Sequence, residues 1–263
     1  MSSVAAFREI FGFFLKRGFK ARRTRLFFFV SLLPVLILLV AKLIEVVNPD
    51  AGVSATDLIS KILLMIYIQL LLPILALFFG TSIIHEEVEN KTLVFLTTSP
   101  VPKHAIVVGK YMAYLVVSLV IINLALLLSF IIININHFND LIYQREFLTF
   151  FTVGILALCS YMAFFLFLGA WLKKSLILGL MFIFGWESIV HYFPGVTQKF
   201  TLMHYIKSLL PAGSDSVKFL VFKLEASPVF EAVVVLLVIS LVSIIAGAII
   251  FTRKEYILSD TNQ

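Results

Sequence analysis

The sequence predicts an all-α integral membrane protein. Six transmembrane helices follow an N-terminal interfacial amphipathic helix, and both termini are cytoplasmic. Three observations carry this expectation. Of 263 residues, 61% are hydrophobic and 14% charged, whereas a soluble domain carries about a quarter charged residues. The apolar residues gather in six runs, each long enough for the roughly 20 helical residues that cross a hydrocarbon layer about 30 Å thick. Lysine and arginine favour alternate connections between those runs, and that asymmetry orients a multi-span protein.

The first element, residues 1–25, is basic and amphipathic. On a 3.6-residue helix Phe7, Ile10, Phe11, Phe14 and Gly18 share one face, and Arg8, Gly12, Lys16, Lys20 and Arg23 share the other. A helix lying in the cytoplasmic interface fits this pattern better than a bare topology signal. The basic stretch is too long for a signal peptide and no small-residue cleavage site follows, so the segment is expected to be retained. Residues 26–251 are expected to form a six-span transmembrane domain, with spans at Leu26–Val47, Leu58–Ile84, Ala105–Ile133, Phe147–Leu172, Ser175–Phe193 and Val229–Phe251. Lipid offers the backbone no partners, which favours helices, and the runs are too long and uniform for barrel strands. Pro34 and Pro73 are expected to kink spans one and two. Residues 252–263 read as a cytoplasmic tail.

The charges place the connections. Arg8, Lys16, Arg17, Lys20, Arg22, Arg23 and Arg25 precede span one; Lys91, Lys103 and Lys110 flank the second connection; Lys173 and Lys174 make the fourth; Arg253 and Lys254 follow span six. The first connection has no basic residue and the third only Arg145. The loop 85–104 is therefore cytoplasmic. The loop 194–228 is outer, and its "FTLMHYIKSLLP" suits a short helix resting on the membrane or dipping into it.

Several chemistries are excluded. Gly109-Lys110 lacks the preceding glycine and the following Ser or Thr of a phosphate-binding loop, since His104 and Tyr111 stand there. The chain is not expected to hydrolyse ATP or to hold a cofactor. "HEEVE" lacks the second histidine of a zinc-protease helix, and the lone Cys159 supports neither a disulfide nor a cysteine metal centre. No metal and no nucleic-acid partner is expected; membrane lipid is. Gln69, Asn123, Glu187 and His191 are candidates for a substrate path, because polar groups at bilayer depth are expensive. Gln69, Asn123 and Ser160 suit bridges between helices better than contact with a substrate. Glu187 and His191, four apart on one helical face, equally suit an interfacial pair beside Trp186 and Tyr192, and lack a third ligand for a metal. Lys42 and Glu45 suit an outward-facing ion pair, and Ser243 and Gly247 a close helix contact.

The stretch "IIHEEVENKTLVFLTTSPVPKHAIVVGKY", from Ile83 to Tyr111, is the least typical of the chain. Glu86, Glu87 and Glu89 emerge from span two, Leu93, Phe95 and Leu96 form an apolar patch, and Thr97–Pro100 makes a turn. Pro102 then suits the first turn of span three. Carboxylates and exposed aromatics together on a cytosolic connector favour docking of a partner, against a connector folded onto its own helix ends.

This stretch resembles the connection between spans two and three in the ABC type-2 permeases, the membrane subunits of ATP-binding-cassette exporters. Glu86, Glu87, Glu89, Thr92, Leu93, Leu96, Pro100, Val101, Lys103, Gly109 and Lys110 match the family pattern. Lys91 stands where many members have Gly, and Lys103 where many have Arg. The resemblance implies a permease subunit that forms the translocation path as a dimer, with itself or with a related permease. The ATP and magnesium would be held by a separate ATP-binding-cassette ATPase subunit. Glu86, Glu87, Glu89, Thr92, Leu93, Phe95, Leu96, Pro100 and Lys103 would couple the two, Lys173-Lys174 making a smaller contact. It further implies the bacterial cytoplasmic (inner) membrane. Competing readings are a membrane anchor or scaffold that recruits a cytoplasmic partner, and an intramembrane enzyme using Glu187 and His191.

Overall fold

The computed structural model describes residues 3–47, 63–89, 103–133, 141–190, 196–210 and 226–253, and every regular element among them is a helix. Helix α1 (Ser3–Lys20) and α2 (Arg22–Val47) meet at a bend at Ala21. A π-helical stretch, Leu63–Leu71, runs into α3 (Leu72–Glu89). Then come α4 (Lys103–Ile133), α5 (Leu141–Trp171) and α6 (Ser175–Met181). A π-helical turn, Phe182–Glu187, and the short Ser188–Val190 extend α6. A 3-10 turn at Val196–Phe200 precedes α7 (Leu202–Ser208), and α8 (Val229–Arg253) ends the described chain.

Five stretches are long and apolar enough to cross a membrane: Arg22–Val40, Ile66–His85, His104–Ile132, Gln144–Trp171 and Val229–Arg253. Of the expected fifth span, the described apolar helix is Ser175–Val190, and residues 191–193 lie outside the described residues. Pro34 sits inside the continuous α2. Pro73 stands where π-helix gives way to α-helix, a wider turn that accommodates the missing N–H and the ring.

Helix α5 is the centre of the bundle. It packs most extensively on α3 and α8 and also meets α4, α6 and α7. Ala157, Leu158, Tyr161, Met162, Ala163, Phe165, Leu166 and Ala170 on it are fully buried. Glycine sets its approach to α3: a Cβ on Gly80 would lie 2.8 Å from the Met162 carbonyl oxygen, and one on Gly169 would lie 3.2 Å from the Thr81 backbone. Against α8 the contact is small and polar. Ser160 Oγ donates to the Leu236 carbonyl at 3.2 Å, and Ser240 Oγ donates to Ser160 Oγ at 3.1 Å. Ser243 and Gly247, expected as a close-contact face, are both buried, and a Cβ on Gly247 would meet Leu166.

The amphipathic segment divides at Ala21, so that Arg22–Arg25 belong to α2 rather than to the expected 1–25 helix. Its apolar face is covered by protein. Gly109 closes on Ile10, Phe14 clusters with Ile106 and Ala113, and Gly18 closes on Val117 and Tyr114. Partners advance four residues at a time on both helices, so α1 and the first half of α4 run side by side in the same direction. Arg8, Lys16, Arg17 and Lys20 are exposed, as expected of the opposite face, but Arg23 is half-buried. The bend at Ala21 takes it off that face: its guanidinium lies 4.9 Å from the Phe79 ring and 4.7 Å from the Tyr114 ring.

Candidate functional site

Polar groups are rare in this chain, and the buried charged ones, Lys110, Glu187 and Lys207, fall at two ends. At one end α3 and α4 flank the connection singled out in the sequence. Glu86, Glu87 and Glu89 lie on the last turns of α3 and Lys103 begins α4. Thr92, Leu93, Phe95, Leu96 and Pro100 lie outside the described residues, as does Lys91.

Both ends of that connection are braced. Lys110, 1% exposed, donates from Nζ to the Ser82 carbonyl oxygen of α3 at 3.4 Å. Its ammonium also lies 5.1 Å from the Phe14 ring and 5.5 Å from the Tyr114 ring. Sharing the Tyr114 ring with Arg23, it makes a cation–aromatic node of α1, α2, α3 and α4, each such contact contributing about 0.5–2 kcal/mol. Closer to the connection, His85 Nε2 and Ser175 Oγ are 2.7 Å apart. That bond ties the last turns of α3 to the first residue of α6, directly after Lys173 and Lys174, which are exposed. Sequence reasoning used Lys110 as a topological charge and passed over His85. The signal for Lys110 was present: it is a cation within an apolar helical run, which needs a partner.

At the other end Glu187 organises the turn into α7. It is 5% exposed; Oε1 accepts the Leu202 N–H at 3.0 Å and Oε2 the Met203 N–H at 3.1 Å. Thr201 accepts the His204 N–H at 3.2 Å, an ordinary N-cap. Cap and carboxylate together satisfy the first three backbone donors of α7, every residue of which is buried. The far end is clasped by Ser208, which donates from Oγ to the His204 carbonyl at 2.8 Å and accepts the Ser227 N–H at 3.1 Å. His204 Nε2 and Ser227 Oγ stand 3.1 Å apart. Lys207, 1% exposed, is pushed down to about 8 by burial, against the opposing pull of Glu187. Burial, with Lys199 nearby, also lowers His204. The Tyr161 hydroxyl is within electrostatic reach of Glu187.

The candidate path residues thus fall into different surroundings. Glu187 is engaged by backbone amides, and His191 lies outside the described residues, so the expected pair is not seen together. Gln69 and Asn123 are half-buried in the second and third spans, and Gln69 Oε1 and Asn123 Oδ1 accept no hydrogen bond although both atoms are buried. Such acceptors are costly unless something outside the chain meets them. The side chain of Glu45, the expected partner of Lys42, lies outside the described set. Among the described residues no group of three or more His, Cys, Asp or Glu is placed to hold a metal.

An all-helical chain with several membrane-crossing helices and a braced α3–α4 connection has a family. Residues 19–256 match the model of the ABC-2 family transporter proteins. The chain belongs to that family. No curated protein matched it. As a family member it is a multi-pass membrane permease subunit of an ABC transporter, a transport component that is not itself catalytic. Permeases of this family normally work with an ATP-binding-cassette ATPase.

Proposed function

We propose that this permease is half of an ATP-driven exporter of the bacterial cytoplasmic membrane, working as a dimer with itself or a related permease. Both termini face the cytoplasm, and the segment beginning at Ser175 makes the fifth of six crossings. The partner ATPase holds ATP and magnesium and seats against the α3–α4 connection. Leu93, Phe95 and Leu96 provide the apolar contact, Glu86, Glu87, Glu89 and Lys103 the ionic one, and Thr92 and Pro100 shape the turn. Gln69 and Asn123 face the path, with Glu187 and His191 toward its outer end.

One observation carries the reading. Lys110 to Ser82 and His85 to Ser175 brace both roots of the connection to the rest of the bundle. A push on the connection therefore moves α3, α4 and α6 as joined bodies rather than being absorbed in a loose loop. A free loop would have no use for a buried lysine there.

The test is a pull-down of the tagged chain from its native membrane in mild detergent. An ATP-binding-cassette ATPase is expected at near-equal amount, and lost when Phe95 and Leu96 are both changed to Asp. Absence of an ATPase from the wild-type eluate, or its retention by the double variant, would sink the coupling assignment.

A further inference from the structure

Helix α1 keeps one face for protein and leaves the other unexplained. At 100° per residue, Phe13 falls between Lys20 and Arg17 on the face away from α4, and Phe19 falls between Arg8 and Lys16. All four cations are exposed, and Phe13 and Phe19 are 60% and 43% exposed. Glu9 is the one acid on the helix. Apart from the edge of the Phe13 ring against Phe14, the packing is done by the buried face, and the cation the bundle needs from this region is Arg23.

Depth says what meets this face. Helix α4 has 31 residues, a rise of roughly 46 Å, about 16 Å more than the hydrocarbon core. Helix α1 accompanies it from Gly109 to Val117, roughly 9–21 Å from its first residue; with the excess length on the side of Lys103, His104 and Lys110, that range brackets the boundary of hydrocarbon and headgroups. Phenylalanines flanked by cations at that depth match acyl chain and phosphate together, whereas toward water the two rings would be a liability.

We propose that the outward face of α1 (Arg8, Phe13, Lys16, Arg17, Phe19 and Lys20) binds anionic lipid headgroups of the cytoplasmic leaflet. This rests on the cytoplasmic placement of the N-terminus proposed above. The lipids hold α1 against α4, and through Phe14 and Lys110 they bear on the root of the coupling connection. An acidic protein surface is the competing occupant.

The full chain, reconstituted in phosphatidylcholine bilayers, is titrated with spin-labelled phosphatidylglycerol or phosphatidylcholine, and the immobilised fraction is read by electron spin resonance. Wild type is expected to favour phosphatidylglycerol at least about threefold, from cations that each contribute up to about 1 kcal/mol near a charged surface. Lys16→Gln, Arg17→Gln and Lys20→Gln together should bring this below about 1.5-fold, as should about 0.5 M salt. Arg22→Gln with Arg25→Gln should leave most of the preference. Parity in wild type, or a preference that survives the triple change, overturns the proposal. So does a triple variant that keeps the lipid preference but loses its ATPase, since the face then belongs to a protein. A separate Arg17→Cys label, in a Cys159→Ser background, reads the side. Labelling from outside intact cells would overturn the topology and the leaflet while leaving the lipid preference standing.

Discussion

Replacing Glu187 with Ala should destabilise the α7 end of the permease more than any other single polar truncation there. The carboxylate is the acceptor for two backbone donors, the N–H groups of Leu202 and Met203, at 3.0 and 3.1 Å. Both residues are at most 5% exposed, so water does not replace the lost acceptor as it does at a surface helix end. Each buried unsatisfied N–H costs about 1–3 kcal/mol, giving roughly 2–6 kcal/mol for the pair. Glu187→Gln keeps one oxygen and should cost about half of that. Lys207 adds a second term, because its buried ammonium loses the neighbouring carboxylate. A double-mutant cycle of Glu187→Ala with Lys207→Met should therefore show coupling of at least about 1 kcal/mol. The assay is thermal unfolding of the purified chain in detergent, followed by tryptophan fluorescence. A Glu187→Ala variant that melts with wild type, or strict additivity in the cycle, would refute the clasp.

The pH dependence of the same end follows from Lys207. Its folded-state value, about 8, is below the unfolded value near 10.4, so between them the unfolded chain holds more protons and stability rises with pH. The rise above about pH 8 should vanish in Lys207→Met, measured by melting across that range. Gly80→Ala should cost about 1–3 kcal/mol, since its Cβ would meet the Met162 carbonyl and Phe165 Cβ at 2.8 and 2.9 Å. Gly154→Ala, with nothing within 4 Å, should be neutral or stabilising by up to about 1 kcal/mol; equal melting of the two variants would dismiss the close α3–α5 approach. Gln69→Leu and Asn123→Leu remove buried acceptors that nothing in the chain meets. They should leave melting unchanged or raised while lowering ATP turnover of the assembled complex, and unchanged turnover would remove both from the path.

What the sequence could and could not disclose divides along physical lines. Span positions were legible because lipid imposes a length and a composition, and α2, α4, α5 and α8 begin and end within a few residues of their apolar runs, except that α5 starts six residues early at Leu141. The amphipathic face of α1 was legible because helical period alone puts Ile10, Phe14 and Gly18 together. That the face would close on protein was not, since a stripe of apolar residues fits lipid and a neighbouring helix equally well. The break at Ala21, which turns Arg23 inward, has no local signal either. Glu187 marks the sharpest limit. Its expense at that depth was plain from the sequence, and the reasoning looked for a partner one turn away, at His191. The partners found are two main-chain amides fifteen and sixteen residues on, and backbone donors carry no signature in a sequence. Every residue of α7 is buried, and an enclosed helix start must find acceptors for its first free amides. The acid that seemed out of place in an apolar span is what the neighbouring helix requires to begin.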